Sequence, residues 1–122
     1  MIDGVGVDVV ETKRFQEAMN SWGNVLLEKI FTEKELLYSH SKKYQVRHLA
    51  ARFAVKEAVA KAMATGWSGG FRWKDVEIEN DSAGKPSVIL HGKVNELLKN
   101  RKVMVSISHS ENVVIAFAVI EK

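Results

Sequence analysis

The order of signals along the chain predicts an α+β fold, a long central helix packed on an antiparallel sheet. Three observations carry this expectation. A strand-like alternation opens the sequence, helical periodicity fills the stretch from Thr12 to Ala64, and a period of two takes over after it. Helices cluster early and strands late, with one strand at the start.

The opening "IDGVGVDVVE" predicts a strand, with Val5, Val7 and Val9 on one face and Gly4, Gly6 and Asp8 on the other. One face is apolar; the other is bare backbone ending in a carboxylate. From Thr12 to about Asn20, "TKRFQEAMN" predicts a helix with Thr12 as N-cap and Gly23 beyond its end. A short helix follows around "NVLLEKI". "TEKE" at 32–35 has the form of a capping box and should open a helix containing "LLYSH". The long helix runs from about Gln45 to Ala64 and stops at "TGWSGG", where glycines break it. "DVEIE" reads as a strand, "NDSAGKP" as a loop, "SVIL" as a second strand and "KVNELLKN" as a short helix. "KVMVSIS" and "VVIAFAVI", joined by a turn at "HSEN", form an antiparallel hairpin.

Length and composition narrow the function classes. With 122 residues, no internal repeat and no Pro/Ser-rich linker, residues 1–122 read as one domain. A hydrophobic content of 46% excludes a disordered chain, and the absence of cysteine excludes disulfides and thiolate metal sites. The apolar runs are too short to span a bilayer, and no basic n-region precedes "IDGVGVDVV", so the expected location is the cytoplasm. The net charge of +3 comes from scattered Lys and Arg, a mild bias toward anionic ligands or an acidic partner. There is no G-x-S-x-G nucleophile elbow, no Walker lysine in "TGWSGG", and no zinc-ligand spacing among His40, His48, His91 and His109.

The chemistry gathers around "RFAVKEAVAKA", residues 52–62. At about 100° per residue, Val46, Leu49, Ala50, Phe53, Ala60 and Ala64 share a face, with Glu57 near its centre and Lys61 beside it. A carboxylate there must be paired, hydrogen-bonded or bound to a metal. Two readings stand: a Glu57–Lys61 helical pair at the core's edge, or one half of a metal site. Asp8 is either a strand-end residue or the second half. Two hard oxygen ligands without Cys or a His pair suit Mg²⁺, which takes one or two carboxylates plus substrate phosphates. Arg52, Lys56 and Lys61 supply cations for phosphate on or near the same helix. "GKP" at 84–86 allows either close approach to a flat ligand or an ordinary loop. In "SISHS", hydroxyls and His109 suit a phosphate or purine, or a polar solvent face.

"GVGVDVVETKRF" and "RFAVKEAVAKA" resemble the two signature motifs of the 4′-phosphopantetheinyl transferases. The short chain, with "FTEKEL", "GKP" and "VSISHS" in that order, resembles the holo-acyl-carrier-protein synthase branch. The resemblance covers essentially the whole chain. It implies the fold of that family and an enzyme that moves the phosphopantetheine arm of coenzyme A to a serine of apo acyl carrier protein. The reaction releases 3′,5′-ADP and supports fatty acid biosynthesis. Asp8 and Glu57 match the family's magnesium ligands, and Lys61 matches the motif lysine expected at the phosphates. Glu57 and Lys61 are accordingly the expected catalytic pair. Arg52, Ser108 and His109 match positions near the 3′-phosphoadenosine, and Lys85 and Pro86 lie in a loop near the adenine. The acceptor serine belongs to the partner, which explains why this chain needs no nucleophile. That partner is acidic, so Lys13 and Arg14, just after Asp8, are the expected docking cations. The resemblance further implies a homotrimer with sites between subunits, for which "VVIAFAVI" offers an apolar surface. One departure is visible: relatives commonly read K-A-x-G-T-G where this chain has "KAMATG", with Ala64 at the first glycine position.

Two other classes compete. A magnesium-dependent phosphohydrolase or nuclease would use the same Asp8, Glu57 and Lys61 but typically wants further carboxylates for a second metal. A nucleic-acid-binding module would want Lys and Arg interleaved with aromatics, a stripe that this sequence lacks; neither nucleic acid nor membrane is an expected partner.

Overall fold

The computed structural model describes residues 1–63 and 70–122. Strand β1 (Ile2–Glu11) leads into a helical segment, α1 (Thr12–Ile30), followed by α2 (Glu33–His40) and α3 (Gln45–Ala62). A single 3₁₀ turn at Trp73–Asp75 opens β2 (Val76–Asn80), which pairs antiparallel with β3 (Pro86–Leu90) as a separate ribbon. The short α4 (Gly92–Leu97) then precedes β4 (Lys102–His109) and β5 (Val113–Glu121). These last two and β1 form an antiparallel sheet in the order β1-β5-β4. Among the described residues no helix is long and apolar enough to cross a membrane.

The bare face of β1 is the one that α3 covers. A Cβ on Gly6 would lie 2.0 Å from the Ala58 carbonyl oxygen, and one on Gly4 the same distance from that of Ala62. The glycines therefore let helix and strand approach at backbone contact. Ala116 and Ala118 of β5 lie opposite Asp8 and Gly6 in the same buried layer. Val5, Val7 and Val9, the apolar side of the alternation, stay exposed.

α3 is buried nearly all round, with one seam left open. From Leu49 to Ala62 only Phe53, Glu57 and Lys61 escape full burial, and their spacing of four puts them on one line. This corrects the stripe read from the sequence: Glu57 marks the least covered side of the helix, not the centre of a core face.

Local signals hold in part. The capping box at Thr32 and Glu35 is present in both directions. Gly23, at φ 56° and ψ −138°, kinks α1 where the sequence separates two helices. Thr12 is not an N-cap; that position belongs to Glu11, and the Thr12 hydroxyl donates to the Asn112 carbonyl at 3.1 Å. α3 ends at Ala62 with Met63 already extended, and Ala64, with the rest of the expected break through Gly69, lies outside the described residues.

Candidate active site

Asp8, Glu57 and Lys61 meet in a groove of about 610 Å³ between β1, α1 and α3. Each arrives for a local reason. The alternation of β1 turns Asp8 to the helix side, and the glycines before it bring the strand close. The open seam of α3 presents Glu57 and, one turn on, Lys61. Phe15, Leu26, Ile30 and Phe53 form an apolar wall, with the Phe15 and Phe53 rings 5.6 Å apart. Arg14 lines the same groove.

The electrostatics are unbalanced. The Lys61 ammonium donates to Asp8 Oδ1 and to the Val7 carbonyl, each at 3.0 Å. Burial raises the Glu57 carboxyl above its ordinary pKa, the Asp8 charge raises it further, and Lys61 opposes both. Asp8 and Glu57 thus share the groove with Lys61 beside them, while Glu11 and Arg14, also on its lining, face each other at 3.8 Å. Among the described residues no group of three or more His, Cys, Asp or Glu side chains is arranged to hold a metal alone. Two hard carboxylates with surplus negative charge suit a divalent cation that completes its shell with water and ligand phosphates. Mg²⁺ fits that description.

A second cluster lies on the neighbouring side of α3. Arg52 is buried, lies 4.3 Å over the Tyr38 ring, and donates to Asn80 Oδ1 and, at 3.4 Å, to the His48 carbonyl. Its Nε is buried without a hydrogen-bond partner among the described residues. Asn80 also donates from Nδ2 to the Gly84 carbonyl at 3.0 Å, which ties the "GKP" loop to Arg52. Gly84 adopts φ 88°, and Asp81 Oδ1 accepts from the Ala83 and Lys85 amides, so the loop holding Lys85 and Pro86 is internally braced. The pKa of His48 is lowered, first by burial and then by Arg52, Lys42, Arg47 and His109, whose charges converge on it. His109 and Ser108, both exposed, sit at the end of β4 opposite Val114 and Ile115.

The structure thus brings Asp8, Glu57, Lys61 and Arg14 together in the groove and ties Arg52 to the 84–86 loop through Asn80, while Ser108 and His109 stand exposed at the end of β4. Lys13 lines a different groove of about 460 Å³ with Lys43, Tyr44 and Arg47. Lys56 belongs to neither group. It is fully buried and ion-paired with Glu35 at 2.8 Å, so it is no phosphate cation. The sequence reading missed Asn80 and Tyr38. Asn80 reads as a turn residue, and nothing local announces a partner 28 positions earlier.

The model of the 4′-phosphopantetheinyl transferase superfamily matches residues 4–118. The holo-acyl-carrier-protein synthase of Geotalea daltonii is 44% identical, covering 100% of both chains, and that of Protochlamydia amoebophila 43%, covering 95% of each. The crystal structure of the Neisseria meningitidis holo-acyl-carrier-protein synthase superposes with a TM-score of 0.92 at 36% identity, covering 100% of both chains. The Bacillus anthracis synthase, in complex with CoA (3′,5′-ADP), gives 0.84 at 33% identity, covering 100% of this chain and 98% of the other. The chain belongs to the 4′-phosphopantetheinyl transferase superfamily.

Proposed function

We propose that this chain, a member of that superfamily, transfers the 4′-phosphopantetheine group of coenzyme A to a serine of an apo acyl carrier protein. Residues 1–122 act as one transferase domain. The observation that carries the reading is the convergence of Asp8, Glu57 and Lys61 in a groove with Arg14 on its lining. The serine oxygen attacks the phosphorus bearing the pantetheine arm, and the bond from that phosphorus to the bridging oxygen of 3′,5′-ADP breaks. Asp8 and Glu57 would hold magnesium, which when bound would supply positive charge at the pyrophosphate and favour departure of 3′,5′-ADP. Lys61, already beside Asp8, adds its own charge to the leaving phosphate. The serine proton would pass to Glu57 or to a water polarised by the bound ion. The apolar wall of Phe15 and Phe53 limits water at the phosphorus, which favours transfer over hydrolysis.

Arg52, Lys85, Pro86, Ser108 and His109 take the 3′-phosphoadenosine end. Lys13 and Arg14, on the first turn of α1, meet the acidic carrier. Val5, Val7 and Val9 of β1 align with Val119, Phe117 and Ile115 of β5, an apolar sheet face in solvent. This supports a homotrimer in which other copies of the chain cover that face, in a cytoplasmic enzyme of fatty acid biosynthesis. The phosphohydrolase reading finds no further metal-binding carboxylate cluster to support it among the described residues.

The test is the intact mass of an apo carrier protein after incubation with the chain, coenzyme A and Mg²⁺. The expected gain is one phosphopantetheine, abolished by EDTA and by Asp8→Ala. Free phosphate or nucleotide without carrier modification would replace the reading with a hydrolase.

A further inference from the structure

We infer that Lys56 is a positioning residue: with Glu35 it pegs β2 to α3, so that Arg52 and the Gly84–Pro86 loop stay in register. The inference rests on the transferase reading and deepens its account of the coenzyme A site. Lys56 stands beside Glu57 in the sequence, yet it reaches no groove. Its ammonium uses all three protons inside the fold, on Glu35 Oε1 at 2.8 Å and on the Trp73 and Val76 carbonyls at 3.0 and 2.5 Å. Glu35 is equally occupied: Oε1 also accepts from the Thr32 amide at 2.9 Å, and Oε2 from the Ile78 amide at 3.0 Å.

Stability alone does not explain such a pair, because apolar residues of similar volume often serve as well or better. Its contribution is geometric. The pair holds β2 at Val76 and Ile78, and Glu77 between them accepts from the Thr32 hydroxyl. β2 ends at Asn80, whose amide bridges Arg52 and the Gly84 carbonyl. Arg52 lies one turn before Lys56 on α3. Helix, strand and loop therefore form a closed circuit in which Lys56–Glu35 is one tie and Arg52–Asn80 the other. Slack at the first tie is relayed to the second.

The experiment uses the double variant Lys56→Met/Glu35→Gln, which removes both charges at similar volume, alongside Asn80→Ala. Melting, kcat, both KM values and coenzyme A binding by calorimetry are measured on each. The double variant is expected to melt near the parent, with Kd and KM for coenzyme A raised about tenfold, the scale on which supporting partners of a site act. kcat and the carrier KM stay unchanged. Asn80→Ala raises the same constants, and the combination adds nothing further, since both lie on one path. A folded double variant that binds coenzyme A like the parent, or effects that add in full, would overturn the inference. Should the double variant not fold, Glu35→Asp, which keeps the charge and shortens its reach by one methylene, carries the same comparison. A parent that binds coenzyme A but modifies no carrier would sink the transferase reading and leave this binding arm interpretable.

Discussion

Lys56 and Lys61 close the two ends of one short run, "KEAVAK", and the fold treats them oppositely. Around Lys56 the surroundings are closed: side-chain exposure is 0% for it and for Glu35, and every polar atom of the pair is answered from within. Around Lys61 they are open: its side chain is 54% exposed, and the two carboxylates near it leave a surplus of negative charge. A charge that the fold satisfies completely holds the fold together. A charge left partly unanswered beside a groove is available to a ligand. The motif alone does not separate the two.

The sharpest way to break this contrast is to truncate each lysine. Lys56→Ala leaves Glu35 buried without its counter-ion, at a cost of about 3–5 kcal/mol. For a chain of this size that lowers Tm by roughly 10 °C or more. Lys61→Ala removes a half-exposed pair worth about 0.2–1 kcal/mol, so melting barely moves. Its kcat/KM, however, falls by about 10²–10³, the scale of losing one charge-stabilising group in a transition state. Melting curves and steady-state rates on the two variants decide it. A Lys56→Ala protein that melts like the parent but loses turnover as Lys61→Ala does would erase the distinction.

The same contrast marks what the sequence made legible. Strand and helix periods, the capping box and the Gly23 break are local signals, and they survive folding. The ordering of faces is not local. Valine alternating with glycine defines two sides of β1, but only the arrival of α3 decides that the glycine side is covered. The meeting of Asp8 and Glu57 was legible because two motifs carry them. Lys56 was misread as a phosphate cation because its partner stands 21 positions away on another helix. Asn80 and Tyr38 were invisible for the same reason. Their role comes from β2 and α2 closing over Arg52, and no spacing along the chain encodes that.

Arg14 extends the open region to the surface and sharpens the comparison at lower stakes. It is highly exposed, and its contact with Glu11 is long at 3.8 Å, so little internal structure depends on it. Arg14→Glu is expected to raise the KM for the carrier about tenfold at low salt, with kcat kept and the effect shrinking as ionic strength rises. Carrier titrations at two salt concentrations test this. An unchanged KM would remove α1 from the docking surface.

The smallest effect separates the regions by sign. In the closed region burial alone would raise the pKa of Glu77, but hydrogen bonds from Thr32 and His91, with the His91 and Lys34 charges, outweigh it and lower the value from 4.5. Ionised Glu77 therefore stabilises the fold above the ordinary carboxylate range, and that contribution is lost as pH falls through the lowered value. In the open region the Glu57 carboxyl is raised from 4.5, first by burial and then by Asp8. Its contribution is present below the ordinary value and is lost as pH rises through the raised one. In EDTA, Glu57→Gln should then melt above the parent at neutral pH, and Glu77→Gln below it. Both differences close as the solution is acidified below 4.5, where each carboxyl is increasingly protonated in the parent. Melting scans from neutral to acid pH read the two signs directly. If both variants moved the same way, the distinction between a carboxylate waiting for a cation and one already answered would fail at its most direct test.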